Sequence, residues 1–449
     1  MVGTLRSTRS GIIDMPRYTA TRSLLLLCAL LGCAMVRAKG LDSTEQRIVR
    51  AADERQAQSL ELLAEVVNIP SATENHAGVR KVGDVFAREL AVLGFETRWV
   101  GQRAEVGRSG HLVAVHRGTR GKRLLLIGHL DTVLEGEPFR RDGNRAYGTG
   151  IADMKGGNLV ALEALHALAA VGALDACTVT VVFTGDEEDT GRPYEVSRAV
   201  LFEAAAASDV VLAFEGHEPG AAVVGRRGFS AWRLRVTGEQ GHSSNIFGDT
   251  LGSGAVFEAA RILSAFHAHL REPGVTFNPS VIVGGTDVAL DAGTATGHAT
   301  GKTNVVAREV VVDGDLRFLT RDQLERTRAR MRAIVESGPL PRTAATLTFS
   351  DGMPAMEPTA ANLALLRAYD ACSRDLGHGP VTAHDPARRG AGDIAFVSGR
   401  LPALDGLGAV GTGEHAPGEH IALEALPVQV ERAALLMYRL VTGAVDLAS

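Results

Sequence analysis

The chain has 449 residues, enough for two or three domains that each bury a full core. Its formal net charge of -5, with 22% charged residues and no basic block or aromatic-interleaved basic stripe, argues against nucleic acid as a partner. Of its cysteines, Cys28 and Cys33 fall in an N-terminal leader; Cys177 and Cys372 make neither a disulfide framework nor a cysteine metal knuckle, so any metal must be held by histidines and carboxylates.

The leader is "RSLLLLCALLGCAMVRAKG", in which Arg22 precedes an apolar run. The run is too short for a bilayer span, which takes roughly 20 residues. Val36, Arg37 and Ala38 form a small-residue cleavage site, and Met15 offers an alternative start. Residues 1–38 are therefore expected to be a signal peptide, and the protein to be exported to the periplasm or cell envelope. Leu30 to Cys33 also resembles a bacterial lipoprotein box, in which Cys33 would carry a lipid anchor.

From Ser43 the pattern is helical up to Pro70, and a second helix is expected over about Val79 to Leu93. The strands "GFETRWVG", "HLVAVHRG", "RLLLIGHLD", "CTVTVVFTG" and "DVVLAFEG" follow, with the helix "GGNLVALEALHALAAVG" among them. Apolar strands alternating with helices predict an α/β domain: a mostly parallel sheet with helices on both faces. The character changes near Gly225. "SAWRLRVTG" alternates, with Trp232, Leu234 and Val236 on one face, and a helix is expected to bury Val256, Ala259, Leu263, Phe266 and Leu270. Two strands, "SVIVGG" and "REVVVDGDLRFL", and the helix "DQLERTRARMRAIVES" complete a small α+β unit, with "GGTDVALDAGTATGHATGKTN" inside it read as a long loop. The helix "ANLALLRAYDACSRDLG", the strand-like "ALDGLGAVG" and the helix "EALPVQVERAALLMYRLVTG" return to α/β character. The expected organisation is a catalytic domain over 43–224 and 341–449, with a lid or dimerisation domain inserted at 225–340.

Chemistry gathers where the apolar strands end. "VVFTGDEEDTG" closes a strand with four acids in a row, Asp186 to Asp189. A carboxylate pair held near 4 Å costs roughly 4 kcal/mol at the effective dielectric of a protein surface, so these acids either splay into solvent or share a cation. "GHLDTV" places His129 and Asp131 at another strand end, on one face, where the carboxylate can approach the imidazole. "YGTGIADMKGG" carries Asp153 on a glycine-rich turn into a helix, "FEG" ends a strand with Glu215, and "GTGEHAPGEH" holds His415 in a loop. Ligand sites of open α/β sheets lie outside the carboxyl ends of the strands. Two imidazoles and three carboxylates converging there suit two zinc-type divalent ions bridged by one carboxylate, with room for a water. One acid of the run then binds metal and its neighbour works on the water.

These motifs, with "GHSS", resemble the M20 family of metallopeptidases, in the family's order over most of the chain. The resemblance implies that His129, Asp153 and Glu215 hold one zinc ion and Asp153, Glu188 and His415 the other, two per chain, with cobalt or manganese able to substitute. It implies that Asp131 orients His129, that Glu187 is general base and then acid, and that the Asp153–Met154 peptide is cis. His242 matches a histidine that reaches the partner subunit's site, in a homodimer formed through the inserted domain. Arg317 in "DGDLRF" matches the arginine that binds the substrate carboxylate, with Asn278 of "FNPS" beside it. Gly392 of "GAGDIAF" stands where the family carries a hydroxyl next to the aspartate. The activity implied is hydrolysis of an amide or peptide bond next to a C-terminal amino acid, on a small peptide or N-acyl amino acid. An N-acyl-amino-acid deacylase is the alternative. A non-enzymatic exported metal-binding dimer fits less well, since a mere binder needs no base at Glu187. Arg226, Arg227 and Lys302 either select an acidic substrate group or are surface charges.

Overall fold

The computed structural model describes residues 40–447 apart from 217, 292, 294 and 446, so the leader with Cys28 and Cys33 lies outside the described residues. In the larger unit, α1 (Ser43–Glu54) and α2 (Gln56–Val67) are two helices separated at Arg55, where one was expected. They are followed by α3 (His76–Val92), β1 (Glu96–Gly101), β2 (Gly110–His116), β3 (Arg120–His129), α4 (Gly156–Ala170), β4 (Cys177–Thr184), α5 (Ala199–Ala206) and β5 (Val210–Ala213). The small unit comprises β6 (Gly228–Gly238), α6 (Gly254–His269), β7 (Thr276–Gly285), β8 (Glu309–Phe318), α7 (Arg321–Glu336) and β9 (Thr343–Asp351). The chain then returns through α8 (Ala360–Asp375), β10 (Ala403–Leu404) and α9 (Ala425–Val441).

The main sheet has the order β1-β2-β4-β3-β5-β10. From β4 to β10 the neighbours run parallel, and β2 is antiparallel to both of its neighbours. Side chains of β3 alternate between two cores. Leu124 and Leu126 pack with α1, α4 and α9, while Leu125 and Ile127 pack with Val200, Leu201 and Ala204 of α5 on the other face. Burial on both faces is why these strands read as unbroken apolar runs. Parallel pairing brings the carboxyl ends of β3, β4 and β5 to one edge of the sheet, with His129 in register with Thr184.

The small unit is a four-stranded antiparallel sheet, order β7-β8-β6-β9, under α6 and α7. Trp232, Leu234 and Val236 face the helices, and Arg233 and Arg235 on the other face pair with Asp313 and Glu309 of β8. Three details differ from the sequence reading. The long loop contains a hairpin, Asp287–Leu290 against Gly297–Thr300. β9 pairs with β6 along its length, carrying this sheet to Asp351, past the expected boundary at 340. The buried stripe of α6 runs through Ala255, Ala259, Ile262 and Phe266, which leaves Val256, one residue around the helix, exposed.

Candidate metal centre

His129 ends β3, Glu187 and Glu188 follow β4 after Gly185 and Asp186, and Glu215 follows β5. Asp153 comes from the turn ahead of α4, in which Gly150 is left-handed at φ 75° and the Asp153–Met154 peptide is cis. His415 lies on the loop between the short strands Gly411–Thr412 and His420–Ala422. His129 Nε2 is 3.0 Å from Asp153 Oδ1 and 3.9 Å from Glu215 Oε1. His415 Nε2 is 3.2 Å from Asp153 Oδ2 and 3.2 Å from Glu188 Oε2. Each set, His129, Asp153, Glu215 and Asp153, Glu188, His415, offers donor atoms within 4.8 Å of one another. Asp153 belongs to both and turns a different oxygen to each.

The donors fit cations. Burial and Asp153 push the Glu215 carboxyl up to about 8, burial and Glu215 raise Glu187 well above the usual carboxylate range, and burial raises Glu188. Glu188 Oε1 is buried without a hydrogen-bond partner. Carboxylates crowded in this way stay ionised together only beside compensating positive charge. Nitrogen and oxygen donors without sulfur suit zinc-type ions, and Cys177 and Cys372 are free and buried.

The acid run divides among three surroundings. Asp186 is fully buried, with Oδ1 accepting from Arg198 Nη1 at 2.6 Å; Asp189 is exposed and pairs with Arg108; Glu187 and Glu188 face the centre. Asp131 does more than orient His129. His129 Nδ1 lies 3.0 Å from the Asp131 main-chain oxygen and 3.4 Å from its carboxylate. That carboxylate accepts from the Thr73 hydroxyl at 2.7 Å and from the N–H groups of Glu187 and Glu188 at 3.1 Å each. One buried acid thus fixes both the ring and the main chain of the glutamate pair.

Residues expected to bind substrate are held within their own neighbourhoods. His242 is exposed, with Nδ1 2.8 Å from Ser244 Oγ. Arg317 donates to Asp315 at 2.9 Å and lies over the Phe229 ring, and Asn278 donates to Ser280 Oγ at 3.1 Å. A Cβ at Gly392 would stand 3.1 Å from Arg226 Cζ, so a guanidinium crowds the place where the family carries a hydroxyl side chain. Arg226 is buried rather than a surface charge. It donates to Asp405 and to the carbonyls of Gly390 and Ala391, while its Nη2 lies 3.9 Å from Glu215 and has no hydrogen-bond partner. Arg227 spans from Thr276 Oγ1 to the Ala387 carbonyl, and Lys302 is exposed.

Two residues were missed by the sequence reading. Arg198, fully buried, joins Asp186 to Asp393. Glu419, in the quoted "GEHAPGEH", is buried at the centre itself. Its signal was the second acid of that motif.

Residues 125–439 match peptidase family M20/M25/M40. Carboxypeptidase G2 of Pseudomonas sp. (strain RS-16) is 28% identical over 431 residues, which cover 93% of this chain and 98% of that protein. Succinyl-diaminopimelate desuccinylase of Ralstonia nicotianae is 28% identical over 312 residues, 64% of this chain and 76% of that protein. Among solved structures, the aminopeptidase PepT of Bacillus cereus superposes with a TM-score of 0.67 at 17% identity, covering 86% of this chain and 98% of its own. The family match takes in β3 from Leu125 on, the acid run, Glu215, the small unit and His415, and on that extent the chain belongs to peptidase family M20/M25/M40.

Proposed function

We propose that this M20 hydrolase is a metallocarboxypeptidase: it uses two divalent ions to cleave the amide or peptide bond next to a C-terminal amino acid. The observation that carries this reading is the sharing of Asp153 by two three-donor sets, with Glu187 beside the donor Glu188. The likeness to carboxypeptidase G2 over nearly the whole chain supports it. Deacylation of an N-acyl amino acid is the second reading. It is favoured by the likeness to the desuccinylase and by the free Arg226 Nη2, which could meet an acidic substrate group.

His129, Asp153 and Glu215 would hold one ion and Asp153, Glu188 and His415 the other. When bound, the ions supply Lewis acidity that polarises the scissile carbonyl and makes water acidic near neutral pH. Glu187 takes the proton from the attacking water and afterwards delivers it to the leaving nitrogen. Burial raises its carboxyl well above the usual carboxylate range, which makes it a stronger proton acceptor than an exposed glutamate. Asp131, through the two N–H groups it accepts, fixes where the Glu187 carboxylate starts from. Arg317 would receive the carboxylate of the departing amino acid and Asn278 would assist, while His242 of a partner subunit would donate to the oxyanion.

We take the metal to be zinc. We also propose export to the periplasm or envelope, with Cys33 as the site of a lipid anchor if the lipoprotein box is used, and a homodimer formed through the small unit. Exposed Phe247, Val256, Phe257 and Ile282 on that unit support the last.

The test is metal analysis joined to a product screen of dipeptides and N-acyl amino acids, before and after chelation. About two ions per chain are expected, with activity lost on chelation and restored by zinc or cobalt. Full activity in metal-free protein would overturn the reading.

A further inference from the structure

We infer that Glu419 is a positioning residue that ties the Asp153 turn to the His415 loop and so sets the affinity of one of the two ions, that of the Asp153, Glu188 and His415 set. The inference rests on the di-metal reading above and goes beyond it by making the two ions unequal.

The turn that delivers Asp153 has main-chain donors that no helix or strand serves. Glu419 takes up four of them. Its Oε2 accepts the Gly150 N–H at 2.7 Å, and its Oε1 accepts those of Ala152 at 2.7 Å and Asp153 at 3.0 Å. Its main-chain oxygen accepts the Gly148 N–H at 3.1 Å. The side chain is 4% exposed, so these bonds form away from competing water. A buried carboxylate fully met by N–H donors is held in one place, and so is the backbone that meets it.

Glu419 also belongs to the loop that carries His415. That loop is closed by pairing of Thr412 with His420, and His420 in turn pairs with Tyr147, at the start of the Asp153 turn. Two of the three donors in the second set, Asp153 and His415, therefore lie on segments that this strand pairing and the Glu419 carboxylate join. The first set is built differently. His129 and Glu215 stand at the ends of paired parallel strands, and only Asp153 reaches them from the turn. Loosening Glu419 should thus disturb one ion far more than the other.

Glu419→Gln keeps the size of the side chain but replaces one accepting oxygen with an NH2 group that faces an N–H donor. Glu419→Asp keeps the charge and withdraws it by one methylene, and serves if the amide variant folds poorly. Both are compared with wild type by competition with a chromophoric chelator, on protein shown to be folded by circular dichroism. In both variants one ion should retain near wild-type affinity and the other should weaken by about 10–100-fold, the usual effect of losing an outer-shell partner. A residue that only stabilises the fold would lower the melting temperature and leave both affinities unchanged. That result, or equal weakening of both ions, would overturn the inference. A wild-type chain that binds no metal would instead remove the di-metal reading, and this inference with it.

Discussion

At the acid run, four neighbouring side chains meet different surroundings, and the difference decides what each can do. Asp186 is neutralised by Arg198, Asp189 by Arg108 at the surface, and Glu188 lies 3.2 Å from His415. Among the described residues no ion pair forms at Glu187, which burial and Glu215 raise toward the protonated form. A base needs that freedom and a ligand does not. Glu187→Gln should therefore leave metal content near normal and lower kcat by about 10²–10⁴, the usual contribution of a positioned acid–base group. Glu188→Ala should instead lose or weaken one ion. Metal analysis beside steady-state kinetics separates the two, and the reverse pattern would exchange the assignments. His129, Glu188 and Glu215 were legible because each follows a strand end, where a costly charge asks for a reason, and Asp153 and His415 because each lies in a glycine-rich turn or loop. Glu419 and Arg198 were not, because what identifies them is a set of partners distant in sequence: the amides of Gly150 to Asp153 for one, Asp186 and Asp393 for the other.

Among the elements, the strands that were easiest to read are those that set the site. β3, β4 and β5 are buried on both faces, so their apolar runs mark them, and parallel pairing then aligns their carboxyl ends. β9 carried a weaker signal. Ala345, Leu347 and Phe349 alternate with Thr346 and Thr348, but its Ala and Thr content hid a half-covered edge strand. The hairpin at Asp287–Leu290 was obscured by the glycine-rich segment around it. What joins the elements at the site is polar. Arg198 donates to Asp186 and Asp393 at 2.6 Å each, and Thr184 at the end of β4 donates to Asp393 at 2.6 Å, so the acid run is pinned to the segment between α8 and β10. Arg198→Ala would leave two buried acids without their cation. Breaking such a pair typically costs 3–5 kcal/mol, roughly, which should appear as a clear fall in the urea midpoint of the metal-free protein. An unchanged midpoint would mean that the ion pairs of Arg198 do not stabilise the fold.

For the whole molecule, the small unit's location in sequence leaves open which site it serves. His242, Arg317 and Asn278 all lie on it, and their bonding partners are Ser244, Asp315 and Ser280 of the same unit. The same unit exposes Phe247 and Phe257 in ring contact at 5.6 Å, together with Val256 and Ile282. Pairing of two such surfaces would bury the apolar patch and carry each His242 toward the neighbouring chain's metals, where an oxyanion donor contributes about 10²–10³ in kcat. The test mixes two impaired proteins, His242→Ala and Glu187→Ala, under conditions that allow subunits to exchange. A mixed dimer holds one site with its own Glu187 intact and an intact His242 from the partner, and a second site lacking both. Random exchange yields about half mixed dimers, each with one competent site of two, so activity should recover toward roughly a quarter of wild type. Exchange is verified separately with differently tagged chains. No recovery once exchange is shown, or wild-type activity in His242→Ala alone, would mean that each chain completes its own site and that the apolar patch serves another purpose.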